Sequence, residues 1–436
     1  MEPIIALATS PIKSAIHIIR VSGNNCFKII SNNFSEVISK DKSKTIHVGY
    51  IKDDQKRIID QVVILTHPHP NSYTGEDVVE IMTHGNALID NQIIKLFISK
   101  GIRMATNGEF TSRAYLNHKI DLVQAEAVND LINATTLESK QIITYSLNGE
   151  TSKLLLPIKK YLLDLISNLE VNIDYPEYKD IETVNRKKIV NELNKYQKRI
   201  NNLIKDGTEG LIIKEGIKVA IIGKPNVGKS TLLNALIKED KAIVTNIPGT
   251  TRDIVEGEVN LDGITIHLLD TAGIRISKNK IENIGVNKTL KAIKQADLII
   301  YLKDKINDKL KINLKNKKVI EVINKADLLK NKDHKHIYIS ALKKNLKPLI
   351  KEIKNVVGLS SDVSNHPSFA NARQLGLLKL ANKYIDEILD ECKKQSPIDI
   401  LAVLLNNLLN VILDVFGEKT SLDLTKEIFS RFCVGK

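Results

Sequence analysis

The chain has no tryptophan, three cysteines and three methionines, and only 4% of its 436 residues are aromatic. Cys26, Cys392 and Cys433 stand far apart. They have neither the paired spacing of a zinc site nor the density of a disulfide framework. A reducing, cytoplasmic compartment is therefore expected. Aromatic motifs of the kind that stack RNA bases are missing too. No apolar run reaches the roughly 18 residues of a membrane span. The opening Met1-Glu2-Pro3 lacks the basic region and cleavage site of a secretory leader. No membrane association is expected.

What is present in excess is positive charge. Lys and Arg number 64 against 51 Asp and Glu, a formal net charge of +13. Such a balance favours nucleic acid or another polyanion as partner. A compositionally biased genome gives the same excess, because Lys, Ile and Asn abound along the whole chain. The lysine-rich stretch 303–318 reads as a solvated face or loop. A hydrophobic content of 42% over 436 residues suffices for two to four domains.

The most informative stretch is Gly223-Lys224-Pro225-Asn226-Val227-Gly228-Lys229-Ser230. It follows the apolar run Val219-Ala220-Ile221-Ile222 and precedes a helical pattern opening at Thr231, the strand–loop–helix setting of a phosphate-binding loop. Glycines let successive N–H groups point inward at phosphate oxygens, and the helix N-terminus adds its dipole. Lys229 can reach the β- and γ-phosphates, and Ser230 can ligate Mg²⁺. Asp270-Thr271-Ala272-Gly273 ends a second strand, 264–269. Its Asp can hold Mg²⁺ through water, and its Gly can offer an N–H to a γ-phosphate. Asn324-Lys325-Ala326-Asp327 follows a third strand, 319–323. The Asp327 carboxylate can accept two donors that guanine offers and adenine does not. Ser340-Ala341 closes a fourth apolar stretch, where backbone N–H can meet the guanine carbonyl. Gly249-Thr250-Thr251-Arg252-Asp253 lies where a switch segment belongs. Five elements in this order define a guanine-nucleotide-binding domain.

Around it, 4–8, 15–21, 61–65 and 78–83 read as strands and 87–100 as a helix ending at Gly101, an α+β domain over 1–118. Residues 119–215 are helical. Pro157 either kinks the helix expected over 151–173 or sets its true start. Ile189, Leu193, Tyr196, Ile200 and Leu203 form a 4-3-4-3 stripe, read as intramolecular packing rather than a dimer coil. The α/β nucleotide domain spans 216–357 with a mostly parallel sheet. Residues 358–436 return to helix. The fold class is thus multidomain: α+β, α-helical and an inserted α/β P-loop domain.

The flanks resemble one family. The segment Asn107-Gly108-Glu109-Phe110-Thr111-Ser112-Arg113, continuing to Asp121-Leu122-Val123-Gln124-Ala125-Glu126-Ala127, is similar to the signature of the MnmE (TrmE) tRNA-modification GTPases. So are residues 72–81, Ile19-Arg20-Val21-Ser22-Gly23 and the terminal Cys433-Val434-Gly435-Lys436. The likeness spans essentially the whole chain. It implies modification of the tRNA wobble uridine at carbon 5, with a flavoprotein partner of the MnmG (GidA) family that carries FAD. It also implies a homodimer within a heterotetramer. A tetrahydrofolate, 5-formyl or 5,10-methylene, supplies the carbon. Arg20, Glu80, Lys119 and Lys436 match its folate-binding positions. Arg or Lys can pair with a folate glutamate tail, and a carboxylate suits the pterin donors. Cys433 invites a nucleophile reading beside the plainer one of a tail thiol.

For hydrolysis, Ile274 stands where Ras-like enzymes place a water-orienting Gln. The resemblance points instead to Glu282. It also implies K⁺ in place of an arginine finger, held by Asn226 and the carbonyls of Thr245, Ile247 and Thr250. Thr251 would be the switch ligand of Mg²⁺. Thr245, Asn246, Ile247, Pro248, Gly249, Thr250 and Thr251 would wrap the nucleotide. Arg252 and Arg275 would act at the interface between nucleotide domains. Some family glycines are absent. Ile12-Lys13-Ser14 stands in a glycine-rich place, Asn86 and His118 replace glycines, and Asn107 replaces a proline. The rival readings are a ribosome-assembly GTPase and a slow signalling switch.

Overall fold

The computed structural model describes residues 1–38, 44–174, 186–239, 255–261, 263–269, 290–308, 314, 317–329, 332–358 and 363–436. The chain divides into two compact units, one of 1–132, 147–163 and 409–436, the other of 133–146 and 164–408.

The first unit is built on a six-stranded sheet ordered β3-β4-β5-β2-β1-β6. Its strands are β1 (Ile4–Leu7), β2 (Ile16–Ser22), β3 (Thr45–Lys52), β4 (Ile58–His67), β5 (Val78–His84) and β6 (Arg103–Met104). All pairings are antiparallel except β1 with β6. Period-two alternation buries Ile19, Val21, Ile64 and Ile81 beneath helices α1 (Cys26–Ser31) and α2 (Ala87–Ser99). The opposite face is apolar as well. On β3, Ile46, Val48 and Tyr50 are exposed. In register they continue through Val63 of β4 and Met82 of β5 to Ile18 of β2. Gly49 of β3 lies tight on the chain at Phe34-Ser35, where a Cβ would meet Ser35 Oγ at 2.3 Å.

Asn86 and His118, which the sequence resemblance sets in place of glycines, solve their turns differently. Asn86 is extended (φ −137°) and caps α2, its side chain accepting the Leu88 N–H. His118 adopts the left-handed conformation at φ 55° and closes α3 (Glu109–Leu116). The segment Gln124-Ala125-Glu126-Ala127 also has a local cause. Gln124 N–H donates to Asp121 Oδ1 at 2.8 Å, and Asp121 N–H donates to Gln124 Oε1 at 3.1 Å. This reciprocal capping box opens α4 (Leu122–Asn133). Leu122 and Ala125 then bury Phe429 and Phe432 of the C-terminal segment.

The second unit holds a sheet ordered β12-β11-β10-β7-β9-β8. These strands are β7 (Ile217–Ile222), β8 (Val255–Leu261), β9 (Ile264–Leu269), β10 (Leu298–Lys303), β11 (Lys318–Ile323) and β12 (Ile337–Tyr338). All neighbours are parallel except β8 with β9. Near-continuous apolar strands such as β10, buried throughout, are what a sheet covered on both faces requires. Helix α5 (Leu137–Leu147) is fixed by mutual Thr136 and Ser139 caps, and α6 (Glu150–Lys153) is a single turn. Helix α7 (Leu156–Asp174) begins with Pro157 as its second residue, so the proline starts the helix and does not kink it. On α8 (Arg186–Glu215), Ile189, Leu193, Ile200 and Leu203 are buried and Tyr196 is half-buried. The stripe is intramolecular, against a later helix of the same unit, Ala372–Lys393.

Cys26 and Cys392 are buried free thiols and Cys433 is exposed. Burial pushes both buried thiols up. Helix Ile398–Phe416 is long and apolar enough to cross a membrane by length and composition, against the expectation that no such stretch exists. Leu401, Leu405, Leu408, Ile412 and Val415, spaced 4-3-4-3, are each fully buried. Packing inside the protein accounts for that apolar stripe.

One buried charge pair anchors β2 to α2. His17, fully buried, donates from Nδ1 to Asp90 Oδ2 at 2.6 Å and from Nε2 to the Ile12 carbonyl at 3.0 Å. A carbonyl only accepts, so Nε2 carries a proton. The Ile12 carbonyl first, then Asp90, raise the imidazole above its ordinary value of 6.5. A raised folded value means the stabilisation is complete below about pH 6.5 and is lost as pH rises through that raised value. Wild type should therefore lose denaturant resistance as pH rises from about 6.5 through that raised value. His17→Gln keeps a donor for Ile12 and cannot titrate, so its slope should be shallower. Equal slopes would show that the pair does not titrate in this range.

Candidate functional site

Parallel strands deliver their loops to one end of the sheet in the second unit. The loop after β7 is the glycine loop 223–230, and the loop after β11 carries Asn324 to Asp327. Left-handed backbone at Asn226 (φ 63°) and Gly228 (φ 98°) curls the glycine loop. A Cβ on Gly228 would stand 2.4 Å from Asn324 Nδ2. That amide donates to the Val227 carbonyl at 2.9 Å, and its Oδ1 accepts the Ala341 N–H at 3.0 Å. One buried side chain thereby ties together the phosphate loop, the base loop and the Ser340-Ala341 turn. Val227 itself is buried, leaving its backbone to the site.

Lys229 opens α9 (Lys229–Glu239), followed by the exposed Ser230 and Thr231. Its ammonium donates to the carbonyls of Gly223 at 2.8 Å and Lys224 at 2.9 Å. Burial lowers its pKa from the ordinary lysine value. At the base end, Ser340 Oγ donates to Asp327 Oδ1 at 2.6 Å. That bond holds the carboxylate below the ordinary aspartate value, so it stays an acceptor. Lys325 is left-handed at φ 61°. Thr245, Asn246, Ile247, Pro248, Gly249, Thr250, Thr251, Arg252, Asp270, Thr271, Ala272, Gly273, Arg275 and Glu282 lie outside the described residues.

A second cluster sits in the first unit. Arg20 of β2 faces Glu80 of β5 in register. Its Nε donates to Glu80 Oε1 at 2.9 Å, and its Nη1 donates to the Gly435 carbonyl at 3.1 Å. The guanidinium lies over the rings of Tyr73 and Phe110, 5.8 and 5.7 Å from their centroids. The C-terminal tail is held there by its backbone. Phe110 N–H donates to the Lys436 carbonyl at 3.2 Å, and Gly108 N–H to the Cys433 carbonyl at 3.3 Å. Gly435, at φ 90°, packs on Leu7, where a Cβ would meet the Leu7 carbonyl at 2.4 Å. The fold thus brings Arg20, Glu80 and the tail from Cys433 to Lys436 together. Lys119 is held on a neighbouring loop instead, its Nζ donating to the Pro70 carbonyl at 3.1 Å. Tyr73 and Phe110 belong to segments that carry the family resemblance, but no sequence pattern shows that they stack on Arg20.

Two family models match the chain. One, described as the GTP-binding protein TrmE N-terminus, matches residues 3–119. The other, described as the MnmE helical domain, matches residues 122–433. The chain belongs to the MnmE (TrmE) family. The tRNA modification GTPases MnmE of Malacoplasma penetrans and Ureaplasma parvum are each 41% identical to it, over 447 and 443 aligned residues. That of Aquifex aeolicus is 39% identical. Each alignment covers 100% of this chain and 100% of the relative.

Within this MnmE-family cleft, Gly228→Ala places a methyl against Asn324 and strains a left-handed backbone. Nucleotide binding, read by calorimetry, should fall at least about tenfold. Asp327→Asn exchanges an acceptor for a donor. GTP should weaken while xanthosine triphosphate, which carries a carbonyl in place of the amine, tightens. Unaltered preference would remove Asp327 from base recognition.

Proposed function

We propose that the chain is a GTP hydrolase acting in tRNA wobble-uridine modification together with an MnmG (GidA)-type flavoprotein. One observation carries this reading: a guanine-nucleotide cleft and an Arg20–Glu80 cluster closed by the C-terminal tail occur in one chain of this family. The product would be a carboxymethylaminomethyl or aminomethyl group on carbon 5 of the uridine.

Lys229 neutralises β- and γ-phosphate charge, and the N–H groups of the curled loop 226–230 donate to phosphate oxygens. Its ammonium already points at the loop's own carbonyls, so a phosphate exchanges acceptors without moving the helix. Asp327 selects guanine. Ser230 and Thr251 would hold Mg²⁺, with Asp270 beside it. Asn226, Thr245, Ile247 and Thr250 would hold K⁺. When bound, the two cations offset charge that develops on the phosphates. Glu282 orients the attacking water, and Arg252 and Arg275 act where two nucleotide domains meet. Thr231, Asn246, Pro248, Gly249, Thr271, Ala272, Gly273, Asn324, Lys325, Ser340 and Ala341 complete the nucleotide contacts.

The residues of the first unit fit a folate. Lys119 offers a cation to a glutamate tail, Arg20 stands paired beside the Glu80 carboxylate at the other end, and Tyr73 and Phe110 offer ring faces. Glu80 Oε2 lies 3.8 Å from His67 Nε2, beyond hydrogen-bond length, and can accept donors of a pterin edge. Lys436 contributes from the tail. A 5-formyl- or 5,10-methylene-tetrahydrofolate would supply the carbon there, FAD resides on the partner, and Cys433 is the nucleophile candidate nearest this cluster in the tail. The apolar sheet face from Ile46 and Val48 to Ile18 supports a homodimer through this unit, within a heterotetramer with the flavoprotein. The domains divide as 1–118, 119–215, 216–357 and 358–436, and the compartment is cytoplasmic.

Nucleoside mass spectrometry of tRNA from cells lacking the protein should show loss of the carbon-5 aminomethyl group. Unchanged tRNA with accumulating precursor ribosomal RNA would replace this reading by ribosome assembly. Purified protein should hydrolyse GTP faster in K⁺ than in Na⁺, and equal rates would remove the potassium site. Intrinsic turnover without an activator should also be fast, unlike that of a signalling switch.

A further inference from the structure

Between the phosphate loop and the base loop runs a stretch that none of the sequence motifs covers. In sheet order β10 lies between β7 and β11. The segment after it, 304–308, therefore emerges between the loop that takes the phosphates and the loop that takes the base. It touches both. Lys224, second residue of the phosphate loop, donates from Nζ to Asp308 Oδ1. Lys325, of the base loop, stands 3.8 Å from Asp304 through its ammonium. Tyr301 of β10 donates its hydroxyl to the Asp308 carbonyl at 3.2 Å and so fixes the segment's far end.

We propose that Asp308, assisted by Asp304, is a positioning residue for nucleotide binding, spacing the phosphate loop from the base loop through Lys224 and Lys325. The proposal rests on reading this cleft as the GTP site. Lys224 is held twice. Its carbonyl accepts from Lys229 at 2.9 Å, and its ammonium is held by Asp308. The side chain of Asp308 is only 14% exposed against 54% for Lys224, so the carboxylate is the better-covered half of the pair. The pair also raises Lys224 and lowers Asp308 from their ordinary values, each through the hydrogen bond between them. A nucleotide engages both loops at once. Holding them at one spacing before it arrives removes part of the ordering cost of binding. The clamp acts on the spacing of the loops through Lys224 and Lys325, and neither carboxylate is assigned a part in the chemistry.

The test is equilibrium binding of a fluorescent GDP to the full chain, with steady-state GTP turnover alongside. Asp308→Asn and Lys224→Gln should each weaken GDP by roughly two- to fivefold, the range of an exposed ion pair. The double variant should be no weaker than the worse single, and Asp308→Glu should retain most of the affinity. KM for GTP should rise with kcat unchanged. Raising salt should bring wild type toward Asp308→Asn, since the pair is screened. Thermal unfolding should not move, which separates positioning from folding. Wild-type or tighter GDP binding by Asp308→Asn would overturn the proposal, as would additive losses in the double variant or a fall confined to kcat. Absence of GDP binding by wild type would overturn the GTP-site reading itself.

Discussion

The carboxamide of Asn324 is the interaction on which the nucleotide cleft depends. Three loops leave the parallel strands β7, β11 and β12, and each carries backbone polar groups that a packed interior must satisfy. Asn324 is 3% exposed and supplies both a donor, to Val227, and an acceptor, to Ala341. An aspartate would lack the donor and a leucine would lack both. Gly228 is the other half of the constraint, because any side chain there would occupy the space that the carboxamide fills. The glycine and the asparagine lie about a hundred residues apart in the chain, yet they form one unit of structure. Lys229 and Asp327 are placed by that unit.

The first unit solves a similar problem with charge. Glu76 is buried, and its Oε2 accepts from Ser22 at 2.8 Å and from Arg113 at 2.9 Å. Three segments of the family signature are therefore joined at one carboxylate: residues 72–81, the end of β2, and the helix that carries Arg113. Breaking such a buried pair leaves an uncompensated charge, typically at a cost of about 3–5 kcal/mol. The three stretches thus have a structural reason to fit one another, independently of any ligand. The adjacent Arg20–Glu80 pair is more open, and its guanidinium rests on two rings and a tail carbonyl. The two pairs differ in cover: Arg113 and Glu76 are 4% and 9% exposed, Arg20 and Glu80 18% and 19%.

Much of this was legible along the chain because it is local. Strands with strict alternation, the helix ending at Gly101, the proline that starts a helix, the 4-3-4-3 stripe of the long helix and the phosphate loop all follow from residue type and spacing. β3 escaped notice although Thr45-Ile46-His47-Val48-Gly49-Tyr50 alternates. Ile46, Val48 and Tyr50 face outward while Gly49 and Ile51 face the core, so the pattern does not mark which face is buried. Asn86 shows a different limit. A glycine position can be filled by a residue that changes the turn, in this case to an extended N-cap.

By itself, then, the sequence determined the guanine-nucleotide motifs, because each is written in contiguous residues with a local physical reason, and it carried the resemblance that names the family. The tertiary structure alone decided which distant groups meet. It set Arg20 on Tyr73 and Phe110, laid the Gly435 carbonyl against that guanidinium, and brought Asp308 to Lys224. Those contacts arise from strand order and from the path of the tail across the sheet. Neither leaves a period or a spacing in the chain, since partners dozens to hundreds of residues apart become neighbours only when the hydrogen-bonded ladders between them are complete.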